Sequence, residues 1–330
     1  YLMLANNNIL KLSDGKPVIS PTQDMVMGCY YLTLDKLGDT RIDGTNEYNS
    51  AKGGYNQPVG EHFDLYTVSD AELYEKGYAD CIGKSFSSQE EAVLAYQAGE
   101  IELESLINVR LTKETPDGQK VTGRIRTTVG RLIFNDAIPQ NLGFVKREKP
   151  EDYLKLEFNS VVKKGTLKKI VERCFKVNGS AKTAETLDNV KALGYKYSTI
   201  SGLTASVFDM HIPESKKEWL AKADERVFGD GGIEEMFNEG MLTDEERYKL
   251  VVNVWRDTTD HVTADLEKTM DKFNPIWMMA DSGARGSMAQ IRQLSGMRGL
   301  MTDPSGKTIE LPVKACFREG LSVLEYFISS

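Results

Sequence analysis

Residues 243–273 can satisfy their apolar side chains only as a long α-helix laid against another. Tyr248, Val252, Trp255, Thr259, Val262, Leu266, Met270 and Phe273 recur at three- and four-residue steps, close to heptad spacing. That spacing draws one apolar stripe along a helix, and water must be kept from the stripe by a partner. Thr243 with Glu246 forms a capping box, so the helix starts just after Gly240. Residues 215–273 are therefore expected to form an antiparallel helical hairpin. Gly229-Asp230-Gly231-Gly232 interrupts its first arm, and each glycine costs a helix interior about 1 kcal/mol, so a break or kink is expected. The turn Glu239-Gly240-Met241-Leu242 is an acidic tip with two apolar residues expected to be exposed.

The chemistry lies further on. Met278-Met279-Ala280-Asp281-Ser282-Gly283-Ala284-Arg285-Gly286-Ser287 is followed by Gln290-Ile291-Arg292-Gln293-Leu294 and Gly296-Met297-Arg298-Gly299. Four glycines and three arginines surround one short helix. Ser287 suits its N-cap, and Gln290 three residues on completes a capping-box pattern. Arg285 stands just before that cap, beside the positive end of the helix dipole, which makes an anion site with phosphate the expected anion. The competing reading of Arg285 is a surface ion pair worth under about 1 kcal/mol. Met278 and Met279 read first as core.

Other function classes are excluded by what the chain lacks. It has no HExxH, GxSxG, GxxxxGK[ST] or GxGxxG motif and no tight carboxylate cluster. His62, His211 and His261 stand in ordinary surroundings. Cys29, Cys81, Cys174 and Cys316 are widely spaced, which reads as four buried, reduced thiols rather than zinc or disulfides. No run of about 18 apolar residues is present. A net charge of -8 argues against a protein that simply coats nucleic acid. The charge is uneven, however. Residues 110–131 carry six Lys/Arg against two acids, a net of +4, whereas residues 214–247 carry eleven acids against five bases, a net of -6. Both termini begin or stop inside apolar segments and look like cuts in a longer chain.

Residues 1–142 read as mixed or β-rich, with turns at Asp14-Gly15-Lys16-Pro17 and Pro116-Asp117-Gly118-Gln119. Residues 37–60 read as a mobile surface insert, in which Asp39, Asp43 and Gly44 faintly resemble a calcium loop that has Ser50 where a Glu is required. Helical periodicity begins near Pro150, with Leu167, Ile170, Val171, Cys174 and Phe175, then Ala184, Leu187, Val190 and Leu193 up to Gly194. Lys163, Lys164, Lys168, Lys169, Arg173 and Lys176 are expected to line a solvated face. Residues 318–330 read as an amphipathic helix with Leu321, Leu324, Phe327 and Ile328 on one side.

Met279 to Gly286, Gln290 to Met301, Phe317-Arg318-Glu319-Gly320-Leu321 and Tyr326-Phe327-Ile328-Ser329 resemble the segment of the bacterial RNA polymerase β′ family that leads into its bridge helix. Asn7-Asn8-Ile9-Leu10, Gly15-Lys16-Pro17, Pro21-Thr22-Gln23-Asp24, Thr127-Thr128-Val129-Gly130-Arg131 and Phe134-Asn135 with Pro139 are similar to the family's pore region. The resemblance implies an α+β fold: a pore-like domain over 1–142 with a divergent insert at about 35–85, a helical funnel over 143–212, a rim helical hairpin over 213–273, and a Gly/Arg loop, hairpin and bridge-helix start over 274–330.

It also implies a part in transcription, as a piece of a nucleotidyltransferase lining the secondary channel for nucleotide entry. Arg285, Gln23 and Ser287 would meet the triphosphate, Arg292 and Arg298 would brace the loop, and Met241, Leu242 and Lys249 would form a factor-docking tip. No catalytic residue is expected within the chain. Mg²⁺ would be bound by aspartates upstream of the counterpart of Tyr1, leaving the isolated piece inactive. Implied partners are the β, α and ω subunits, sigma factor, NTP, RNA, template DNA and transcript-cleavage factors of the secondary channel, in the cytoplasm (nucleoid) and away from membranes. The residues alone leave open a free-standing phosphate-binding enzyme or a scaffold built on the helical hairpin.

Overall fold

The computed structural model describes residues 3–35, 48–49, 54–55, 71, 83–115 and 118–330. The calcium-like loop, His62, Cys81 and most of the 35–85 insert lie outside the described residues. The fold is α+β: a small three-stranded sheet accompanied by many helices. It divides into two units, 1–202 with 282–284, and 203–281 with 285–330.

In the first unit, α1 (Asp24–Thr33) packs on α4 (Lys164–Ser201). The two backbones touch. A Cβ at Gly28 would stand 1.8 Å from the Gly194 carbonyl oxygen, and one at Gly194 would stand 2.6 Å from the Cα and O of Met25. Only glycine on both sides permits this approach. Gly194 therefore does not end its helix, as the apolar pattern suggested. The helix runs on to Ser201 and stops at Gly202, which takes the left-handed cap conformation.

α4 is two helical halves joined at Gly179, whose φ of 77° and ψ of -177° are non-helical. Cys174 Sγ lies 3.6 Å from Thr186 Oγ, twelve residues on. A straight helix would separate them by about 18 Å, so the chain doubles back at this glycine. The buried stripe of the second half is Thr183, Thr186, Val190, Gly194 and Tyr197, one step round from the expected Ala184, Leu187, Val190 and Leu193. The threonines can be buried because their hydroxyls donate to the carbonyls of Gly179 and Lys182, at 2.7 and 2.8 Å. Leu32, Phe134, Ile138, Leu167 and Ile170 complete this core.

The remainder of the unit is the sheet and its helices. β1 (Tyr48–Asn49) and β2 (Gly54–Tyr55) form a two-residue antiparallel pair. β3 (Ser85–Phe86) runs parallel to β4 (Leu106–Glu114), which forms an antiparallel hairpin with β5 (Lys120–Thr128), in register from Leu106↔Thr128 to Glu114↔Lys120. At the end of the hairpin the Thr115 amide donates to the Gln119 carbonyl and the Gly118 amide to the Thr115 carbonyl, both at 2.9 Å, while Pro116 and Asp117 lie outside the described residues. One sheet face packs Ile107, Val109, Leu111 and Ile125 against Ala92 of α2 (Gln89–Gln97) and Leu132 of α3 (Val129–Asp136). Arg131, one of the six bases counted in the net-positive window 110–131, is not at the surface. It is 1% exposed, bonds the Thr33 carbonyl at 3.0 Å and pairs with Asp35 at 2.5 Å.

In the second unit, α5 (Lys216–Phe228), α6 (Ile233–Asn238) and α7 (Asp244–Thr269) form the helical hairpin. Its first arm is broken over residues 229–232, where the glycines stand. The Thr243–Glu246 capping box is made in both directions. Val252, Trp255, Thr259, Val262, Leu266 and Met270 are all buried, with Trp255 and Val262 packed on Ala223, Val227 and Ile233. α8 (Pro275–Asp281) and α9 (Met288–Ser295) close the far end through Ile276 and Ile291 on Leu266.

The expected helix over 318–330 is shorter: α10 spans Val323–Ser329. Gly320 has a φ of 82°, which breaks a helix, and Ser322 with Glu325 makes a capping box that starts one two residues later. Cys29, Cys174 and Cys316 are free and buried.

Gly194→Ala should lower Tm by several degrees, because its methyl group has only Met25 backbone to displace. Gly165→Ala, in the same helix with open space around it, should leave Tm unchanged or raise it. Thermal unfolding followed by circular dichroism measures both.

Candidate functional site

Arg285, Ser287, Arg292 and Arg298 lie on or beside α9. After α8, glycines at 283 and 286 take φ of 74° and 83°, and the Arg285 amide donates to the Met279 carbonyl at 3.1 Å. The Arg285 side chain is exposed and makes no hydrogen bond or ion pair among the described residues. The guanidinium is thus presented to solvent rather than neutralised within the fold.

Ser287 occupies the N-cap position of α9 with extended backbone, but its side chain makes no cap bond. The expected capping box with Gln290 does not form. The Gln290 amide is taken by the Ser287 carbonyl at 3.0 Å, and its side-chain oxygen lies over Gly286, 3.5 Å from where a Cβ would stand. The first amides of α9 therefore have no side-chain acceptor from Ser287.

Arg292 and Arg298 differ from Arg285. Arg298 donates to the Ser329 carbonyl at 3.2 Å and lies 5.1 Å from the Phe317 ring centroid. Arg292 is half-buried, and the Nε atoms of both side chains are buried without a hydrogen-bond partner among the described residues. Met278 is buried and Met279 half-buried.

At the hairpin tip, Met241 is 69% exposed and Lys249 is exposed, with Glu245 3.9 Å away. Leu242 departs from expectation. It is half-buried against the cluster of Val227, Ile233 and Trp255, so the tip offers one exposed apolar side chain rather than two. Arg247 behind it is held by Glu234, Asp244 and Glu310 at 2.9 to 3.1 Å.

In the first unit, Gln23 is the N-cap residue of α1 and is exposed. Its φ of 49° and ψ of -119° make it the one non-glycine residue with positive φ among those described. Such a conformation costs about 1–3 kcal/mol and persists only where the surroundings impose it.

Sequence reasoning missed Lys216, which is 3% exposed and bound to Glu319, 103 residues away. Glu319 also accepts from the Cys316 amide at 3.0 Å, and Arg318 beside it donates to the Met210 carbonyl. Neither residue stands in a pattern that announces a pair. His261 stacks on Trp219 with centroids 4.3 Å apart, and His211 is exposed. Among the described residues, no group of three His, Cys, Asp or Glu side chains could hold a metal, and no helix is long and apolar enough to cross a membrane.

These elements form a segment with one exposed, unpaired arginine before the start of α9 and two further arginines behind it. Residues 8–210 match the family described as RNA polymerase Rpb1, domain 3, and residues 242–318 match RNA polymerase Rpb1, domain 4. Over all 330 residues the chain is 51% identical to the DNA-directed RNA polymerase subunit beta' of Caldanaerobacter subterraneus subsp. tengcongensis. It is 50% identical to that of Thermoanaerobacter pseudethanolicus and 49% identical to that of Clostridium novyi over the same span. The chain belongs to the RNA polymerase Rpb1 family, in its bacterial β′ branch. It spans about a quarter, 24%, of the length of these relatives.

Burial pulls the Glu319 carboxyl up, but the Lys216 ammonium and the Cys316 amide outweigh it and hold the group below the ordinary carboxylate range. A depressed pKa contributes stability that is present above about pH 4.3 and is lost as pH falls through the folded value. Acid titration of the folded chain should therefore weaken the second unit below about pH 4.3. Lys216→Met should flatten that dependence, as followed by Trp219 and Trp255 fluorescence.

Proposed function

We propose that this chain is the part of a DNA-directed RNA polymerase β′ subunit that lines the nucleotide-entry channel and receives the triphosphate, within a nucleotidyltransferase that carries out transcription. The observation that carries this reading is Arg285: an exposed guanidinium with no partner among the described residues, two positions before a helix start whose Ser287 side chain makes no cap bond. Arg285 would pair with phosphate oxygens, and Ser287 with the first α9 amides would accept the remaining charge. Gln23 is a further candidate contact for the triphosphate, and its backbone conformation supports a role that outweighs the cost.

Phosphoryl transfer in such an enzyme depends on positioning and charge neutralisation. Arg285 orients the triphosphate, and Arg292 and Arg298 hold the loop that carries it. Mg²⁺ and its aspartates are assigned to parts of the enzyme outside this chain, which alone is inactive. The β, α and ω subunits, sigma factor, RNA and template DNA are the partners of the assembled enzyme, in the cytoplasm. Met241 and Lys249, with Leu242 beneath them, would receive transcript-cleavage factors. Met241's exposure beside the acids of the turn supports this.

In the assembled polymerase, Arg285→Ala should raise the apparent KM for nucleotides tenfold or more, since a charge-assisted contact is worth about 1.5–3 kcal/mol. Steady-state elongation kinetics measure it, and an unchanged KM and rate would remove Arg285 from the site.

A further inference from the structure

The solvent face of the β4–β5 hairpin carries an arrangement that the nucleotide site does not use. Arg110 and Arg124 are directly opposite each other in the antiparallel register. Both are exposed, and neither makes a hydrogen bond or ion pair among the described residues. Like charges placed opposite each other destabilise a strand pair. The nearest acid on this face, Glu114, is two rungs away and already 3.4 Å from Lys120. The pair is therefore left without a counter-ion among the described residues, in a chain whose net charge is -8.

The neighbouring rungs add donors. On one side Asn108 opposes Arg126, with the Arg126 Nε 3.4 Å from the Asn108 Oδ1. On the other, the hydroxyls of Thr112 and Thr122 are 3.0 Å apart. The opposite sheet face is fixed in the core by Ile107, Val109, Leu111 and Ile125, so these side chains cannot turn inward. Same-face neighbours along a strand are about 6.6–6.8 Å apart, so Arg124 and Arg126 extend beyond one tetrahedral anion.

We propose that this face, centred on Arg110 and Arg124, binds the sugar–phosphate backbone of a single-stranded nucleic acid. The side-chain types favour that occupant. A protein interface packs its arginine anchors among aromatic and apolar side chains in a desolvated centre, and none of the other residues of this row supplies such a side chain. Stacking bases needs an aromatic platform, which none of these six residues supplies. What remains is a row of guanidinium, amide and hydroxyl groups, the set that contacts phosphate oxygens and holds a strand without reading its sequence.

The test is fluorescence anisotropy of labelled oligo(dT) with the full chain across a salt series, leaving Arg285 intact so that this face is read separately from the nucleotide site. Arg110→Gln with Arg124→Gln should weaken binding at least tenfold and make the slope of log K against log salt shallower by about 1.4, from two phosphates at about 0.7 each. Arg110→Lys with Arg124→Lys should retain most of the slope. Thr122→Glu, which keeps both arginines and sets an acid beside them, should weaken binding comparably even if the glutamine pair fails to fold. Equal slopes for wild type and the folded variants overturn the proposal. So does displacement of the strand by polyglutamate at equal charge concentration, which would assign an acidic protein, or by inorganic triphosphate at equal phosphate concentration, which would assign a small ligand.

Discussion

The first unit rests on the contact between the backbones of α1 and α4. With glycine at both 28 and 194, the helices approach until a methyl group on either would strike main-chain atoms. That closeness lets Cys29 and Leu32 reach the core shared with Ile170, Cys174 and Val190. It also fixes both ends of α1. Gln23 is held at its start in a costly conformation, and Thr33 at its end presents a carbonyl to buried Arg131. Arg131 then ties the helix to the strand-to-helix corner at Thr128, whose hydroxyl accepts from the Arg131 amide at 3.3 Å. A buried ion pair of this kind adds little net stability while both partners are present, but loss of one strands the other.

Charge does different work in different parts of the chain. Arg131, Arg247 and Lys216 are absorbed by carboxylates and stiffen the fold. Arg298 is partly absorbed, by a carbonyl and an aromatic ring. Arg285, Arg110 and Arg124 are left facing solvent without a partner among the described residues. Counting arginines in a window cannot separate these groups. Arg131 and Arg124 fall in the same basic stretch, yet one is sealed inside and the other is exposed.

The long helix of the hairpin was legible because its pattern is local: a capping box, a heptad-like stripe and a glycine break each report on residues within a few positions. The family was legible in the Gly/Arg segment, and the resemblance it carried is matched across the chain. What escaped was long-range or stereochemical. The Lys216–Glu319 pair spans 103 residues and has no periodic signal. Leu242 looked exposed because its neighbours are polar, but the tip folds it onto Trp255's cluster. The α10 start was misplaced because apolar spacing continues through Gly320, and only its left-handed backbone reveals the stop. Ser287 has the right side chain for a capping box, yet Gln290 is turned over Gly286 instead.

The reversal of α4 at Gly179 sets the phase between two helical faces with a single residue. Each residue in a helix advances the side-chain direction by about 100°. One residue gained or lost near the reversal would rotate Thr183, Thr186 and Val190 away from Cys174 and expose hydroxyls that now have internal acceptors. The outer surface of this element can accept many exchanges of side chain. Its length on either side of the bend cannot drift, and insertions accumulated in the lineage would have to fall elsewhere.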